Sequence, residues 1–274
     1  MGNKRKYYAN SQKSNKKSKY MFDEKVQLGP NMKGFLITYN CKFTFLINEA
    51  RKLIQQFSGE MEVQSADKSD DIEKQLQQEL NSLHTLDKKM SILDPGAKYT
   101  IFINQPDLDP NQVVGSIFGH VEKTKKSIGR YVQRFLPVLN TCRSYLEDLE
   151  TCLISTLDEL DPIKSCSETE AESKPFKYCC VFKTSNNNVL SRDLVFTKIG
   201  AYLQSKNKQN KVDFDNPDYV IIINVICNLC YISFVDKYFE NKKYNLIEMG
   251  AKFNKTEKVT LAKIETQDTK KENA

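Results

Sequence analysis

The sequence has 274 residues, enough for two modest domains, and 28% of them are charged, with a formal net charge of +6. This excess is too small to establish a nucleic-acid partner, so the placement of the basic residues matters more than their sum. The eight cysteines and the lack of a secretory signal predict a protein of a reducing compartment.

The first 32 residues are predicted to be a basic disordered tail. Residues 1–20 contain seven Lys or Arg and no acidic residue, and they lack the apolar segment of a signal peptide. The clusters KRK and KKSK suit a nuclear address or a loose contact with phosphates, and a solubilising tail explains them equally well. We therefore expect the nucleus, including the nucleolus, as the location, with the cytoplasm as the alternative.

Residues 33–140 are predicted to form an N-terminal α+β region. GFLITY, from Gly34 to Tyr39, has the composition of a short strand, and a helix ending near Gly59 follows it. The stretch 58–90 turns acidic and is predicted to be an insert, with an exposed helix from Asp70 to Leu83. The apolar face of the first helix comprises Phe43, Leu46, Ile47, Ala50, Ile54 and Phe57.

The middle of the chain is predicted to continue with a strand from Lys98 to Asn104 and a helix. Asp109 and Pro110 suit the N-cap and the first position of that helix. A strand over 131–136 is expected to end at Pro137. A long helix is then predicted, with its inward-facing residues including Cys142, Tyr145, Leu146, Leu149, Cys152, Leu153 and Leu157.

Residues 141–250 are predicted to contain a second, α/β domain, and residues 251–274 a disordered charged tail. Alternation over 176–183 predicts a strand, the turn TSNNN follows, and Ser191 is expected to cap a helix. The apolar run 219–235 is long enough for a short membrane span. Because Asn224 and Asn228 interrupt it, a buried hairpin is the better prediction, and no membrane association is expected.

Catalytic motifs are missing from the sequence. It contains no Gly-rich phosphate loop, no dinucleotide fingerprint and no nucleophile elbow. Its two histidines, His84 and His120, supply neither a triad nor a metal site well, and the lone C-N-L-C pair Cys227 and Cys230 favours core thiols over zinc. We therefore expect no enzyme activity, no cofactor, no metal and no small-molecule substrate.

Two features point to RNA. The first is the basic run from Lys123 to Arg134, whose cations suit phosphate contacts, although a solvated charged turn explains it too. Within it, Tyr131 either stacks on a base or belongs to the core. The second is KTSNNNVLSRD, Lys183 to Asp193, a polar turn leading to a helix N-terminus, where free N–H groups favour phosphate.

These residues resemble the THUMP family. KTSNNNVLSRD, VDFDNPDY, the apolar hairpin and KYNL (Lys243 to Leu246) follow one another as in a THUMP domain, and the resemblance extends from Lys33 to Met249. It implies an N-terminal ferredoxin-like region packed on a C-terminal α/β THUMP domain. It also implies a non-catalytic, tRNA-binding adaptor. Such an adaptor presents the D-arm cytidine of serine and leucine tRNAs to an RNA cytidine acetyltransferase that forms N4-acetylcytidine.

The resemblance also implies an RNA-binding set of residues. In the family, the turn reads Lys-x-Arg-Asn-Asn, and here Ser185 stands in place of the Arg. The predicted RNA-binding residues are Lys183, Asn186, Asn187 and Arg192 in the turn, Lys126, Arg130 and Arg134 in the middle segment, and Lys243 in KYNL. Three rivals stay open: a general binder of structured RNA, a complete tRNA-modifying enzyme, and a protein–protein scaffold.

Overall fold

A computed structural model describes residue 22 and residues 26–62, 90–160 and 175–253; for residues 59–62 it describes the backbone alone. Two β-sheets with packed helices make up the fold, which is therefore of the mixed α and β class that the sequence predicts.

The first sheet has four antiparallel strands in the order β2-β3-β1-β4. Its strands and helices follow one another as strand, helix, strand, strand, helix, strand, which is the ferredoxin-like arrangement predicted for this region. Its elements are β1 (Gly34–Tyr39), α1 (Phe43–Glu62), β2 (Ser91–Leu93), β3 (Thr100–Asn104), α2 (Pro110–Thr124) and β4 (Val132–Val138).

Helix α2 begins where its sequence predicts. The Asp109 carboxylate accepts a hydrogen bond from the Asn111 N–H at 2.9 Å, and Pro110 occupies the first helical position. Its apolar stripe is buried against the first sheet. Helix α1, in contrast, continues past its predicted end at Gly59 to Glu62.

Strand β4 does not end before Pro137, as predicted, but runs through it to Val138. Pro137 pairs with Phe35 of β1, and among the described strands β4 has no other neighbour in its sheet. A proline lacks the N–H that an inner strand must donate, so an edge strand is the place that tolerates it.

The second sheet has five strands in the order β5-β9-β8-β6-β7, in which β6 runs parallel to both β7 and β8. The predicted apolar hairpin is confirmed as β8 and β9, which pair over their whole length. The elements are β5 (Asn140–Arg143), α3 (Leu146–Asp158), β6 (Lys177–Ser185), α4 (Arg192–Lys206), β7 (Lys211–Val212), β8 (Tyr219–Ile226), β9 (Leu229–Asp236) and α5 (246–253).

The alternation of β6 places its side chains on two different surfaces. Cys179 and Val181 join the core shared with the first sheet, whereas Tyr178, Cys180 and Phe182 pack under α3 and α4. The two adjacent cysteines thus point to opposite faces, as predicted. Lys183 is two residues beyond Val181 on β6, so it belongs to the face turned toward the first sheet.

The two sheets share one core. Only Leu139 separates β4 from β5, so a single extended stretch passes from the first sheet into the second. The ring of Phe102 on β3 meets the ring of Tyr231 on β9 at 5.3 Å. Residues on the facing surfaces of the two sheets therefore hold a fixed position relative to one another.

The prediction of a long helix that includes Cys142 and Tyr145 is wrong at its start. Cys142 lies in β5, opposite Cys230, and the helix begins at Leu146. Tyr145, expected to face inward, is 60% exposed. The open edge of β9 pairs with this stretch, and strand pairing outweighs the helical spacing of its apolar residues.

Both predicted tails are shorter than expected where the structure describes them. The Asn31 N–H donates to the Thr141 carbonyl at 2.7 Å, and the Thr141 hydroxyl bonds Gly29 and Met32, so residues 29–32 lie against β5. At the other end, Phe253 of α5 is buried. Phe22, Val26 and Leu28 of the predicted N-terminal tail also pack against the core. Residues 1–21, 23–25 and 254–274, and the acidic helix predicted from Asp70 to Leu83, lie outside the described residues.

Candidate functional site

Three of the predicted RNA-binding residues, Arg134, Lys183 and Lys243, lie close together where the two sheets face each other. Arg134 of β4 and Lys243 both act electrostatically on Lys183 of β6. Arg134 also forms a β-bridge with Asn245, which brings the turn carrying Lys243 onto β4. In the sequence Arg134 precedes Lys183 by 49 positions, and Lys183 precedes Lys243 by 60, so the fold brings the three cations together. We call Arg134, Lys183 and Lys243 the cationic cluster.

The cationic cluster lowers the proton affinity of one of its members. Protein atoms packed around the Lys183 ammonium lower its pKa from 10.5 to about 8, although the side chain as a whole is exposed, and the charges of Arg134 and Lys243 add to the effect. Like charges held together in this way raise the free energy of the protein, and a bound anion would relieve the repulsion. The cluster therefore has the electrostatics of an anion site.

A polar row extends the cationic cluster into the second sheet. Lys183 is in register with Asn224 of β8, and Asn224 with Tyr231 of β9. Asn224 is only 7% exposed, and within the described part of the chain its amide nitrogen has no hydrogen-bond partner; the same holds for the buried Nε of Arg134. Buried donors without acceptors are costly, so the row offers unused donors next to the cationic cluster.

The turn that carries Lys243 has an unusual backbone. Lys242, Lys243 and Tyr244 all have positive φ, at 52°, 58° and 58°. Left-handed geometry costs a residue with a Cβ about 1–2 kcal/mol. Buried packing of the Tyr244 ring on Phe118, at 4.9 Å, holds the turn in place. Strain of this kind concentrates at functional sites, where it sets the direction of a side chain.

Two of the predicted RNA-binding residues, Asn186 and Asn187, make contacts inside the protein. The Asn186 amide donates to the Gly96 carbonyl at 2.9 Å, and its φ of 56° fits the turn. The Asn187 amide donates to the Ser144 hydroxyl at 3.0 Å and to the Cys227 carbonyl at 2.6 Å. Both side chains therefore fix the turn that follows Lys183, and Asn186 ties it to the first sheet's loop.

The other predicted RNA-binding residues, Arg192, Lys126 and Arg130, are exposed. Arg192 opens α4, with its guanidinium 5.0 Å from the Phe196 ring centre, and Ser191 holds the N-cap position without a side-chain capping bond. Lys126 lies in the loop after α2. Arg130 follows in the same loop, 5.4 Å from the centre of the Tyr131 ring.

Close packing fixes this basic loop. The Glu49 carboxylate of α1 accepts hydrogen bonds from the backbone N–H groups of Arg130, Tyr131 and Val132 at 2.5, 2.6 and 3.1 Å. A Cβ on Gly250 of α5 would come within 2.4 Å of a carbon of the loop's Ser127, so glycine permits the contact. The direction of the loop is thus set from two sides.

The remaining described residues bear on metal, membrane and ligand sites. No group of three or more His, Cys, Asp or Glu in the described ranges could hold a metal ion, and none of the helices described there is long and apolar enough to cross a bilayer. His120 packs edge-on against Phe57. An open groove of about 290 Å³ lies between α3 and α4, on the other side of the second sheet, and the ion pair Glu150–Lys198 closes one side.

Two residues that the structure brings to attention, Asn224 and Phe45, are not among the predicted site residues. In the sequence, Asn224 is a polar residue within an apolar run, and a polar residue at such a position is the signal of a buried amide. Phe45 lies outside the apolar stripe of α1, and an aromatic residue at such a position is expected to be exposed, as Phe45 is.

Comparison with known proteins agrees with the predicted fold. Residues 162–235 match the family model of the THUMP domain. Over 244 residues the chain is 29% identical to THUMP domain-containing protein 1 of Bos taurus and 28% identical to that of Homo sapiens. These alignments cover 81% of this chain and 64% and 65% of the relatives, so the chain spans less than two thirds of their length.

A solved structure is also similar over a shorter stretch. The solution structure of the THUMP domain of THUMP domain-containing protein 1 is 27% identical, with a TM-score of 0.27, and the match covers 33% of this chain and 84% of that one. The names of these relatives state no catalytic activity. The C-terminal part of the chain is therefore similar to the THUMP domain, and most of the chain is similar to THUMP domain-containing protein 1.

Proposed function

We propose that this protein binds tRNA without catalysing a reaction and presents it to an RNA cytidine acetyltransferase. The proposed target is the D-arm cytidine of serine and leucine tRNAs, which the acetyltransferase converts to N4-acetylcytidine. The proposed location is the nucleus, including the nucleolus, with the cytoplasm as the alternative.

The observation that carries the RNA-binding part is the cationic cluster of Arg134, Lys183 and Lys243. Its charges come from β4, from β6 and from the turn before α5, and Lys183 is in register with Asn224, which carries an unused amide donor. Lysine and arginine side chains bind phosphate oxygens, and the release of counterions makes such binding favourable. A site of this kind recognises the RNA backbone and its shape, because the deep groove of A-form RNA hides the base edges.

The proposed adaptor contributes position and leaves the chemistry to its partner. The two sheets form one rigid support, since they share a core and a continuous stretch from β4 to β5. A tRNA held on such a support would meet the acetyltransferase in one orientation, and fixed orientation lowers the barrier of a reaction between bound groups. Acetyl-CoA and ATP would be bound by the acetyltransferase.

The direct test is deletion of the gene followed by mass spectrometry of the nucleosides in purified tRNA. We expect N4-acetylcytidine to disappear from serine and leucine tRNAs and to return when the wild-type gene is restored. The gene carrying Lys183→Glu and Lys243→Glu should fail to restore it, although the protein accumulates normally. Unchanged N4-acetylcytidine in the deletion strain would refute the adaptor function.

A general binder of structured RNA is the second candidate. It is favoured by the nature of the cationic cluster, whose positive charges bind the phosphates of an RNA of any sequence. Gel shifts at one salt concentration separate the two candidates: tRNA should bind more tightly than an unrelated RNA duplex if the protein is an adaptor. Equal affinities would favour the general binder. Turnover by the purified protein alone, with acetyl-CoA or S-adenosylmethionine, would instead establish an enzyme.

A further inference from the structure

A pair of stacked aromatic rings lies at the exposed edge of the first sheet. Phe45 on the first turn of α1 and Tyr131, the residue before β4, have ring centres 5.2 Å apart and ring planes 18° from parallel. The Arg130 guanidinium lies 5.4 Å from the Tyr131 ring centre. We call Phe45, Tyr131 and Arg130 the aromatic platform.

The Phe45 ring is accessible to a ligand. Tyr131 stacks on the ring, yet Phe45 is 48% exposed, so much of the side chain is open to solvent. Burial would stabilise a phenylalanine, and α1 has buried positions at Leu46, Ala50 and Ile54 that do face the core. Packing on Tyr131 therefore accounts for only part of the surface of this ring.

The aromatic platform is rigid before any ligand arrives. Glu49, one turn after Phe45 on α1, accepts the three consecutive N–H groups that begin with Arg130. These bonds fix the backbone that carries Tyr131 relative to the helix that carries Phe45. A rigid platform loses little conformational entropy on binding, which favours a stacked ligand.

The surroundings of the aromatic platform favour a nucleic acid over an apolar peptide. Lys42 at the start of α1 and Lys126 in the loop before Arg130 are both exposed. The nearby Glu49 carboxylate is occupied by backbone donors, so it repels an incoming phosphate less than a free carboxylate would. Aromatic rings flanked by cations are the usual means of binding unpaired bases.

We propose that the aromatic platform stacks an unpaired nucleobase of the bound RNA, with Phe45 as the outer ring. The proposal rests on the RNA binding proposed above and adds a second contact to it. Tyr131 precedes Arg134 by three residues, so the backbone of the aromatic platform lies within about 10 Å of the backbone of the cationic cluster's Arg134.

Binding of two RNAs to the full chain tests the proposal. The probes are a fluorescent ten-nucleotide oligocytidylate, which is single-stranded, and a blunt 16-base-pair RNA duplex. Phe45→Ala should weaken oligocytidylate binding at least about fivefold, the effect of losing one base stack, and should leave the duplex unchanged. Phe45→Leu, which keeps the apolar volume but not the ring, should give the same loss.

Phe214→Ala is the matched control, because Phe214 is 63% exposed and far along the chain from the aromatic platform. It should bind both RNAs as the wild type does. The chain has no tryptophan, so Phe45→Trp also provides a single reporter whose emission a stacked base should quench. Thermal unfolding of each variant checks that the fold is retained.

Two results would overturn the proposal: oligocytidylate binding by Phe45→Ala within twofold of the wild type, or no oligocytidylate binding by the wild type. Either can occur while Lys183→Glu still abolishes tRNA binding, in which case the aromatic platform fails and the RNA-binding function stands. If the wild type binds neither tRNA nor duplex, the RNA-binding function fails as well. If Phe45→Ala instead loses a copurifying protein and keeps its RNA affinity, the aromatic platform is a protein contact.

Discussion

RNA binding should depend on pH in a way that identifies Lys183. Burial, and then the charges of Arg134 and Lys243, lower the pKa of this lysine to about 8, whereas an ordinary lysine titrates near 10.5. A phosphate beside the ammonium favours the protonated form, so binding raises the pKa again and takes up a proton. Affinity should therefore be full below the free pKa and decline as the pH rises through it.

The size of the effect follows from the pKa of about 8 in the free protein. Lys183 is about 91% protonated at pH 7 and about 9% at pH 9, so its contribution to the association constant should fall about tenfold over that range. A lysine with an unperturbed pKa would remain about 97% protonated at pH 9, and the affinity would change by only a few per cent.

Fluorescence anisotropy with a labelled 16-base-pair RNA duplex measures this dependence at constant ionic strength. Lys183→Arg is the matched control, because arginine keeps the positive charge at every pH used and the RNA is the same. The control should bind nearly equally from pH 7 to pH 9. A wild-type affinity that is as flat as that of Lys183→Arg would refute the assignment of a lowered pKa to a phosphate-binding lysine.

Three further changes separate folding from binding. Asn187→Ala removes the hydrogen bonds to the Ser144 hydroxyl and the Cys227 carbonyl, so the free energy of unfolding should fall by about 1–2 kcal/mol and the midpoint of thermal unfolding should fall with it. The RNA affinity at 10 °C should stay unchanged. Lys243→Gly relieves a φ of 58° and should stabilise the fold by up to about 1 kcal/mol in urea unfolding, yet weaken RNA binding. Gly250→Val places a branched side chain against Ser127 and should lower stability by about 1–3 kcal/mol, measured in the same way.

Each of these changes can contradict its prediction. An unchanged unfolding midpoint for Asn187→Ala would mean that its hydrogen bonds contribute nothing, and a large loss of RNA affinity at low temperature would make Asn187 a direct contact. Lys243→Gly with wild-type affinity would remove Lys243 from the cationic cluster. Gly250→Val with wild-type stability would show that the basic loop can move away from α5.

The local pattern of the chain predicts much of this fold. Asp109 and Pro110 mark the start of α2, and the alternation around Cys179 assigns β6 and its two faces. The failures occur where a distant strand decides the outcome. Cys142 pairs with β9, 87 or more residues away, and Pro137 lies in a strand because that strand is at an edge. Local spacing carries no information about either partner.

The candidate site is less predictable than the fold. Residue type identified Lys183 and Arg134 as cations, but only the tertiary structure shows that they share a surface with Lys243. From the sequence, Asn186 and Asn187 could equally contact RNA or stabilise the turn. In the structure their amides donate hydrogen bonds to the carbonyls of Gly96 and Cys227. A polar side chain reveals its hydrogen-bonding partner only in the folded protein.

The measurement that tests the central claim most directly is the affinity of the double variant Lys183→Glu/Lys243→Glu for tRNA as a function of salt concentration. Its matched control is Lys208→Glu, Lys211→Glu, which makes the same change of net charge at two exposed lysines outside the cationic cluster. We predict that the cluster variant loses at least tenfold in affinity at 0.1 M salt and that its log–log salt slope falls by about one to two, whereas the control keeps both. Equal losses in the two variants would show that general positive charge, and not the cationic cluster, binds the RNA.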